Sequence, residues 1–167
     1  MIPRRDPVAP GQRSVWDFPR PPIAQACTAR VVIEHRGVVI ADTQASVQTF
    51  ETSHPPSYYL PPDSIAPGML RRAEGSSFCE FKGSAIYWDV VDVVVGGLVL
   101  PRVGWSYPDP TPAFAMLRDH VAFYARPFDR CTVDGELVTP QPGPFYGGWI
   151  TADYVGPFKG IPGSMGW

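Results

Sequence analysis

Two runs of β-branched residues flank a short turn in Arg30-Val-Val-Ile-Glu-His-Arg-Gly-Val-Val-Ile-Ala41. Such runs favour extended backbone, and Gly37 can adopt the positive φ that a tight turn requires. The stretch therefore predicts a β-hairpin. A second hairpin is predicted in Cys131-Thr-Val-Asp-Gly-Glu-Leu-Val138, where Asp134-Gly135 has the composition of a type I′ turn.

The composition points away from long helices. The chain has 21 Pro and 16 Gly among 167 residues, and each proline removes a backbone donor and fixes φ. One short helix is predicted near 113–124, with Thr111 as N-cap and Pro112 at the first helical position, although 121–124 fits a strand equally well. Further strands are predicted over 45–51, 58–60, 78–81, 84–95 and 98–100. We expect a mainly β, compact single domain of short antiparallel strands and hairpins.

Three regions of the chain differ in composition. Residues 1–27 are rich in Pro and Arg and predict an extended N-terminal arm, with Trp16 and Phe18 packed onto the domain. Residues 28–138 carry the strand patterns and form the predicted all-β core domain. Residues 139–167 return to Pro, Gly and aromatic residues, which predicts a tail wrapped over the core.

Charge and hydropathy disfavour two classes of partner. The net charge is −2, and there is no basic run of the kind that neutralises phosphates, so no nucleic-acid partner is expected. The longest apolar stretch, residues 90–100, is too short to span a bilayer, so no membrane partner is expected. No apolar segment typical of a signal peptide is evident near the N-terminus, and we expect a cytoplasmic protein.

The cysteines and histidines lack metal-ligand spacing. Cys27, Cys79 and Cys131 are odd in number and never form a Cys-x-x-Cys pair, which disfavours both a disulfide framework and a zinc ribbon. The three histidines show no ligand spacing either. We therefore predict no metal and no cofactor.

The candidate site lies in two segments, His54-Pro-Pro-Ser-Tyr-Tyr-Leu-Pro61 and Cys79-Glu-Phe-Lys-Gly-Ser-Ala-Ile-Tyr-Trp88. Two prolines would hold His54 rigidly, as an acid–base or ligand-anchoring group requires. If 78–81 continues as a strand, Glu80 and Lys82 share one face and form an acid–base pair. Gly83 would permit close approach of a ligand. A turn histidine and a surface ion pair are the structural alternatives.

The two lysines of the chain both lie in the tripeptide Phe-Lys-Gly, at 81–83 and 158–160, against twelve arginines. This bias suggests that lysine is kept where a compact amine is useful. Cys79 would act as a nucleophile only with a neighbouring base, and a buried, unreactive thiol is the alternative.

The aromatic residues of the two segments predict the walls of a pocket. Alternation along Tyr58-Tyr59 and Tyr87-Trp88 turns one member of each pair away from the core, where the tail, a partner subunit or a ligand must cover it. The predicted ligand-binding set combines these four with polar residues and two further aromatics: His54, Tyr58, Tyr59, Glu80, Lys82, Gly83, Tyr87, Trp88, Trp105 and Tyr107.

Three stretches together resemble the family catalogued as domain of unknown function 427. They are Glu51-Thr-Ser-His-Pro-Pro-Ser-Tyr-Tyr-Leu-Pro61, Cys79-Glu-Phe-Lys-Gly83 with Tyr87-Trp88, and Trp105-Ser-Tyr-Pro108 with Val121-Ala-Phe-Tyr124. The resemblance covers residues 28–138 and implies an all-β fold similar to the β-tent folds of the Mss4-like group. The family has also carried a nucleotidyltransferase-like label. This label would lead one to expect a phosphate loop, or a Gly-Ser pair with aspartates spaced to hold two metals, and neither pattern is found in the chain.

Three hypotheses about function follow. The first is a β domain that binds an unknown small molecule in an aromatic pocket anchored by His54, Glu80 and Lys82. The second is an enzyme of transferase or hydrolase type, with Lys82 or Cys79 as nucleophile and His54 or Glu80 as base. The third is a non-catalytic interaction module, for which a homodimer is one form. The sequence leaves open whether the protein is an enzyme.

Overall fold

A computed structural model describes residues 2–167 as an assembly of short strands. The strands in chain order are β1 Arg13–Ser14, β2 Ile23–Cys27, β3 Val31–His35, β4 Val38–Thr43, β5 Ser46–Phe50, β6 Ser57–Leu60, β7 Leu70–Cys79, β8 Gly83–Val91, β9 Leu98–Ser106, β10 Val121–Phe123, β11 Arg130–Val133, β12 Glu136–Leu137, β13 Thr139–Pro140, β14 Trp149–Ile150 and β15 Tyr154–Val155. Three 3-10 helices span Val15–Asp17, Pro62–Ser64 and Pro112–Leu117. The predicted mainly β fold is confirmed.

Two antiparallel sheets make up most of the molecule. The larger has seven strands in the order β2-β5-β6-β10-β9-β8-β7, and the smaller has four in the order β12-β11-β3-β4. Two short pairs complete the fold: β1 runs parallel to β15, and β13 runs antiparallel to β14. The first pair joins the N-terminal region to the tail, and the second joins two segments of the tail to each other.

The main core lies between the two large sheets. It contains Ile33 and Cys131 from the smaller sheet and Leu60 and Phe123 from the larger one, together with Trp149 from β14. Because side chains alternate along a strand, the opposite face of the seven-stranded sheet carries its own set of aromatic residues. That second face is covered partly by the 3-10 helix Pro112–Leu117, and it holds the candidate site.

Both predicted hairpins are present. In the first, β3 pairs with β4 around Arg36 and Gly37, whose φ angles are 51° and 74°. In the second, β11 pairs with β12 around Asp134 and Gly135, with φ angles of 48° and 79°. Positive φ at both central residues is the signature of a type I′ turn. The turn residues therefore predict both hairpins correctly.

The helix predicted near 113–124 does not form over that length. Pro112–Leu117 is a short 3-10 helix, Thr111 makes no capping bond with its side chain, and the chain then enters β10. The alternative prediction of a strand at 121–124 is the correct one, because β10 pairs with both β6 and β9. Strand pairing in the tertiary structure overrides the helical spacing of the apolar residues in this segment.

Two strand ends were also predicted wrongly. The strand predicted over 78–81 ends at Cys79, since Glu80, Phe81 and Lys82 form the turn into β8. The strand predicted over 84–95 ends at Val91, and Asp92 accepts hydrogen bonds from the N–H groups of Val94 and Val95 in the turn that follows. Short polar residues form turns of this kind readily.

The N-terminal region contributes more than an extended arm. Strand β2, inside residues 1–27, pairs with β5 at the edge of the large sheet. Trp16 and Phe18 are buried beside Phe50 and contact the C-terminal residues Tyr154 and Trp167. The two terminal regions therefore pack on the sheet together. Among the described residues, no helix has the length and apolar character needed to cross a membrane.

Candidate functional site

A cavity of about 310 Å³ opens on the second face of the seven-stranded sheet. This volume lies at the lower end of the range for small-molecule sites. The strands supply most of its floor, and residues after β13 supply one wall. Its lining consists of Thr49, Glu51, His54, Pro55, Ser57, Tyr59, Ser77, Phe78, Cys79, Lys82, Ala85, Tyr87, Trp105, Tyr107, Tyr124, Gln141, Phe145, Tyr146 and Gly147.

Lys82 is held in place by the loop that leads into the 3-10 helix. The N–H of Thr111 donates to the carbonyl of Lys82 at 3.0 Å, and the Thr111 hydroxyl donates to the carbonyl of Phe81. Gly83 has a φ of 109°, and a Cβ there would lie 3.2 Å from the carbonyl oxygen of Asp109. The turn 80–82 is thus clamped against residues 109–111, which fixes the direction of the lysine.

The ammonium group of Lys82 is buried without a carboxylate. The residue is only 9% exposed. Its Nζ lies 3.8 Å from Cys79 Sγ and 5.8 Å from the centre of the Phe114 ring. Within residues 2–167 no carboxylate oxygen comes within 4.0 Å of Nζ. A buried charge is costly unless it is paired, so this group is available to an anion from outside.

His54 is held by a network that fixes the position of its proton. The side-chain oxygen of Gln141 accepts from the N–H of Gly148 at 3.0 Å, and its amide nitrogen donates to the carbonyl of Lys159 at 2.9 Å. The same nitrogen lies 3.0 Å from His54 Nδ1 and donates its second hydrogen there. Because Nδ1 accepts, the proton of the neutral ring resides on Nε2. That atom lies 3.6 Å from Glu51 Oε2.

The surroundings of His54 also keep its ring neutral. Burial is the largest cause and lowers the pKa of His54 to about 4, and the ammonium groups of Lys159 and Lys82 act in the same direction, whereas the Glu51 carboxylate opposes them. Near neutral pH His54 is therefore a hydrogen-bond donor through Nε2 rather than a cation.

The aromatic walls are fixed by their own hydrogen bonds. Trp105 Nε1 donates to the Tyr59 hydroxyl at 3.2 Å, and the hydroxyls of Ser77 and Tyr87 are 2.7 Å apart. Burial raises the pKa values of Tyr59 and Tyr107 above their ordinary range, so both phenols stay neutral. The rings of Trp105 and Tyr124 are 4.8 Å apart. The result is a preorganised aromatic surface with few charges.

A comparison with known protein families identifies the family to which the chain belongs. Residues 23–134, more than half of the chain, match the model of a family described as Domain of unknown function (DUF427). The chain belongs to the DUF427 family. This confirms the resemblance seen in the sequence, and the short name of the matching model carries the nucleotidyltransferase label as well. A comparison with curated proteins found no match.

The DUF427 domain brings seven of the predicted site residues to one cavity. They are His54, Tyr59, Cys79, Lys82, Tyr87, Trp105 and Tyr107. They come from β6, β7, β8, β9 and the turns beside these strands, which the sheet places side by side.

Four predicted residues lie outside the cavity lining. Tyr58 and Trp88 are each adjacent in sequence to a lining tyrosine and point to the other face, where they pack on the main core. Gly83 approaches the backbone of 109–111 rather than the cavity. Glu80 is an exposed residue of the turn 80–82, so the predicted pairing of Glu80 and Lys82 on one strand face is wrong. Lys82 Nζ contacts Cys79 Sγ at 3.8 Å instead.

Several lining residues were missed by the sequence interpretation. Gln141, Phe145, Tyr146 and Gly147 all lie beyond the DUF427 match, in the tail, and Glu51 directly follows β5. The glycines of Phe145-Tyr-Gly-Gly-Trp149 were the feature of the sequence that could have indicated these lining residues. A methyl group added to Gly147 would overlap the Trp105 ring, and one added to Gly148 would lie 2.5 Å from the carbonyl oxygen of Pro55. Glycine lets the tail approach the sheet closely.

Metal-ligating side chains are not grouped in the part of the chain that the structure describes. No group of three or more His, Cys, Asp or Glu residues there could hold a metal ion. The cavity itself contains one histidine, one cysteine and one glutamate beside eight Phe, Tyr and Trp side chains.

Proposed function

We propose that this DUF427 domain binds a small organic molecule in the aromatic cavity, with Lys82 and His54 as its polar anchors. The observation that carries the proposal is the buried ammonium of Lys82, which has no carboxylate within 4.0 Å in the described chain and faces an aromatic cavity. Small-molecule sites commonly combine apolar and aromatic walls with a few fixed polar groups. The Lys82 and His54 side chains are both fixed by neighbouring residues before a ligand arrives.

A cavity-blocking variant tests this proposal. Ser57→Phe places a ring in the cavity from β6, and Ser84→Phe adds the same ring at an exposed position of β8 outside it. A fragment library is screened by amide and indole NMR shifts of the wild-type protein. Fragments that perturb the Trp105 indole and Lys82 amide signals should bind the Ser84→Phe protein and lose binding to the folded Ser57→Phe protein. Fragments that bind both variants equally would contradict the proposal.

An enzymatic use of the same site is the second candidate. Cys79 Sγ lies 3.8 Å from Lys82 Nζ, so a bound electrophile would meet two nucleophilic atoms together. His54 suits the role of base poorly, because its Nδ1 already accepts from Gln141 and its Nε2 carries the proton. Selective alkylation of Cys79 over the equally half-buried Cys27 by iodoacetamide would support this candidate, and equal labelling would count against it.

The remaining expectations stay predictions. A homodimeric or other interaction role would need a partner for the exposed apolar side chains, and sedimentation measures it directly. A cytoplasmic location and the more specific β-tent outline likewise stay predictions of the sequence.

A further inference from the structure

We infer that the molecule which the cavity takes is a planar aromatic compound with a single negative charge, of which an aromatic carboxylate is the simplest example. This inference rests on the proposed function, because it assumes that the cavity binds a small molecule. It is carried by the charges of the lining residues, the form of the walls and the two phenyl groups at the edge of the cavity.

The charges of the lining limit the charge of the ligand. Among the lining side chains, Glu51 is the one carboxylic acid and Lys82 the one amine, while His54 is neutral near neutral pH and the phenols of Tyr59 and Tyr107 are neutral. The carboxylate of Glu51 lies beside His54 Nε2, whereas the ammonium of Lys82 lies beside Cys79 and Phe114. One ammonium group can pair with one anionic group.

A polyphosphate does not fit this balance of charges. Nucleoside triphosphates carry several negative charges, and protein sites for them supply backbone N–H groups at a glycine-rich loop together with more than one cation. The cavity offers one lysine, and the Glu51 carboxylate would repel additional phosphates. The nucleotidyltransferase label of the family therefore finds no matching charge pattern in this cavity.

The walls favour a flat ring over an aliphatic chain. Tyr59 packs edge-on against Trp105, with an angle of 87° between their ring planes, and Trp105 packs against Tyr124. Tyr59 is 2% exposed and holds Trp105 in place, whereas the half-buried rings of Trp105 and Tyr124 leave aromatic surface for a further ring. Aromatic pairs in offset or edge-to-face geometry gain free energy beyond their buried area. A saturated chain would gain only the free energy of burying its apolar surface.

The edge of the cavity exposes two phenyl groups. Phe78 is 75% exposed and Phe145 is 74% exposed, and both belong to the lining. Phe78 comes from the end of β7, whereas Phe145 comes from the tail. A ring system that contacts these phenyl groups would cover exposed apolar surface, while its anionic group reaches the buried lysine.

A matched set of probes tests the inference on the wild-type protein. The probes are 1-naphthoate, the neutral 1-naphthamide, the aliphatic octanoate and ATP, and isothermal calorimetry gives each Kd. We expect 1-naphthoate to bind about tenfold to 100-fold more tightly than 1-naphthamide, because a charge-assisted contact is lost in the amide. Octanoate and ATP should both bind more weakly than 1-naphthoate.

Two charge-removing variants separate the anchor from a general effect of charge. Lys82→Met keeps most of the length of the side chain and removes its charge, and it should weaken 1-naphthoate binding about tenfold to 100-fold while leaving 1-naphthamide almost unchanged. Arg72→Met removes a positive charge from an exposed residue of β7 outside the cavity lining and should change the Kd for 1-naphthoate by less than about threefold. Circular dichroism and thermal melting establish that both variants are folded.

The outcomes separate this inference from the function on which it rests. Equal affinity for 1-naphthoate and 1-naphthamide, or a preference for octanoate, would overturn the inference and leave small-molecule binding in place. Tightest binding of ATP, with loss on Lys82→Met, would overturn it in favour of nucleotide binding. If no probe binds and no fragment from the wider library reaches the cavity, both the inference and the proposed function fail.

Discussion

The tripeptide Phe-Lys-Gly occurs twice in the chain, at 81–83 and at 158–160, and the two lysines have opposite surroundings. Lys159 donates from Nζ to the main-chain oxygen of Trp167 at 3.1 Å and lies 5.6 Å from the centre of the Tyr146 ring. Lys82 is more deeply buried, and its Nζ lies 3.8 Å from the Cys79 sulfur and 5.8 Å from the centre of the Phe114 ring. One ammonium group is used within the fold, and the other is left facing a cavity.

The glycines of the two tripeptides show the same contrast. Both have positive φ, 109° at Gly83 and 119° at Gly160. A Cβ at Gly83 would lie 3.2 Å from one carbonyl oxygen, whereas a Cβ at Gly160 would overlap the carbonyl of Pro142. The same tripeptide therefore has two roles. At 158–160 it packs the tail, and at 81–83 it positions a residue of the candidate site.

The largest effect is expected from substituting these glycines. Gly160→Ala should lower the free energy of unfolding by about 3–5 kcal/mol, because it adds a backbone overlap to an unfavourable φ, whereas Gly83→Ala should lower it by about 1–3 kcal/mol. Chemical denaturation of both variants measures the difference. Equal losses would show that the two tripeptides are constrained to the same degree.

The ammonium groups of both lysines lower the pKa of His54. The titration of this histidine should give the second-largest effect on the free energy of unfolding. The pKa of His54 is lowered to about 4 from the ordinary value of 6.5, so the unfolded chain binds more protons than the native protein between these values. The free energy of unfolding should therefore fall as the pH drops from 6.5 to 4, by on the order of 3 kcal/mol in total, and the loss should level off below pH 4.

Variants separate the contribution of His54 to the pH dependence of stability from the contribution of the carboxylates, which titrate in the same pH range. The difference between the pH profiles of the wild-type and His54→Gln proteins gives the His54 contribution, with His120→Gln, a half-buried histidine outside the cavity lining, as the matched control. Gln141→Glu should raise the pKa of His54, since a carboxylate would then face Nδ1. Lys159→Met should raise that pKa more than Lys82→Met, because Lys159 lowers it more. An NMR titration of the ring that finds an ordinary pKa would contradict the neutral, buried assignment.

The smallest expected change in the free energy of unfolding comes from replacing either lysine, and its sign differs between the two positions. Lys82→Met should raise the free energy of unfolding by about 1 kcal/mol, because a buried and unpaired charge is replaced by an apolar chain of similar length. Lys159→Met should lower it by about 1 kcal/mol, since a hydrogen bond and a cation–π contact are lost. Thermal melts without ligand measure both changes. Destabilisation by Lys82→Met would indicate that the lysine serves the fold rather than a ligand.

Much of the fold could be predicted because its signals are local. Arg36-Gly37 and Asp134-Gly135 specify their turns by backbone conformation alone, and alternation at Tyr58-Tyr59 and Tyr87-Trp88 correctly assigns one member of each pair to each face of the sheet. The helix at 113–124 was wrong because β10 gains pairing with two neighbouring strands, which apolar spacing does not report. The break between the strands predicted at 78–81 and 84–95 falls earlier in the structure, at 80–82, because Glu80 and Phe81 are also compatible with a strand.

The site could be predicted only in part, for a physical reason. Lys82 and His54 stand out by residue type and by their proline and glycine neighbours, which the sequence displays directly. The partners that define their chemistry come from distant segments: Gln141 fixes the proton of His54, and 109–111 clamps the turn of Lys82. By itself the sequence determined a mainly β chain, its two hairpins and its family. Only the tertiary structure decided which of two identical tripeptides faces a cavity, because burial and hydrogen-bond partners depend on contacts between segments far apart in the chain.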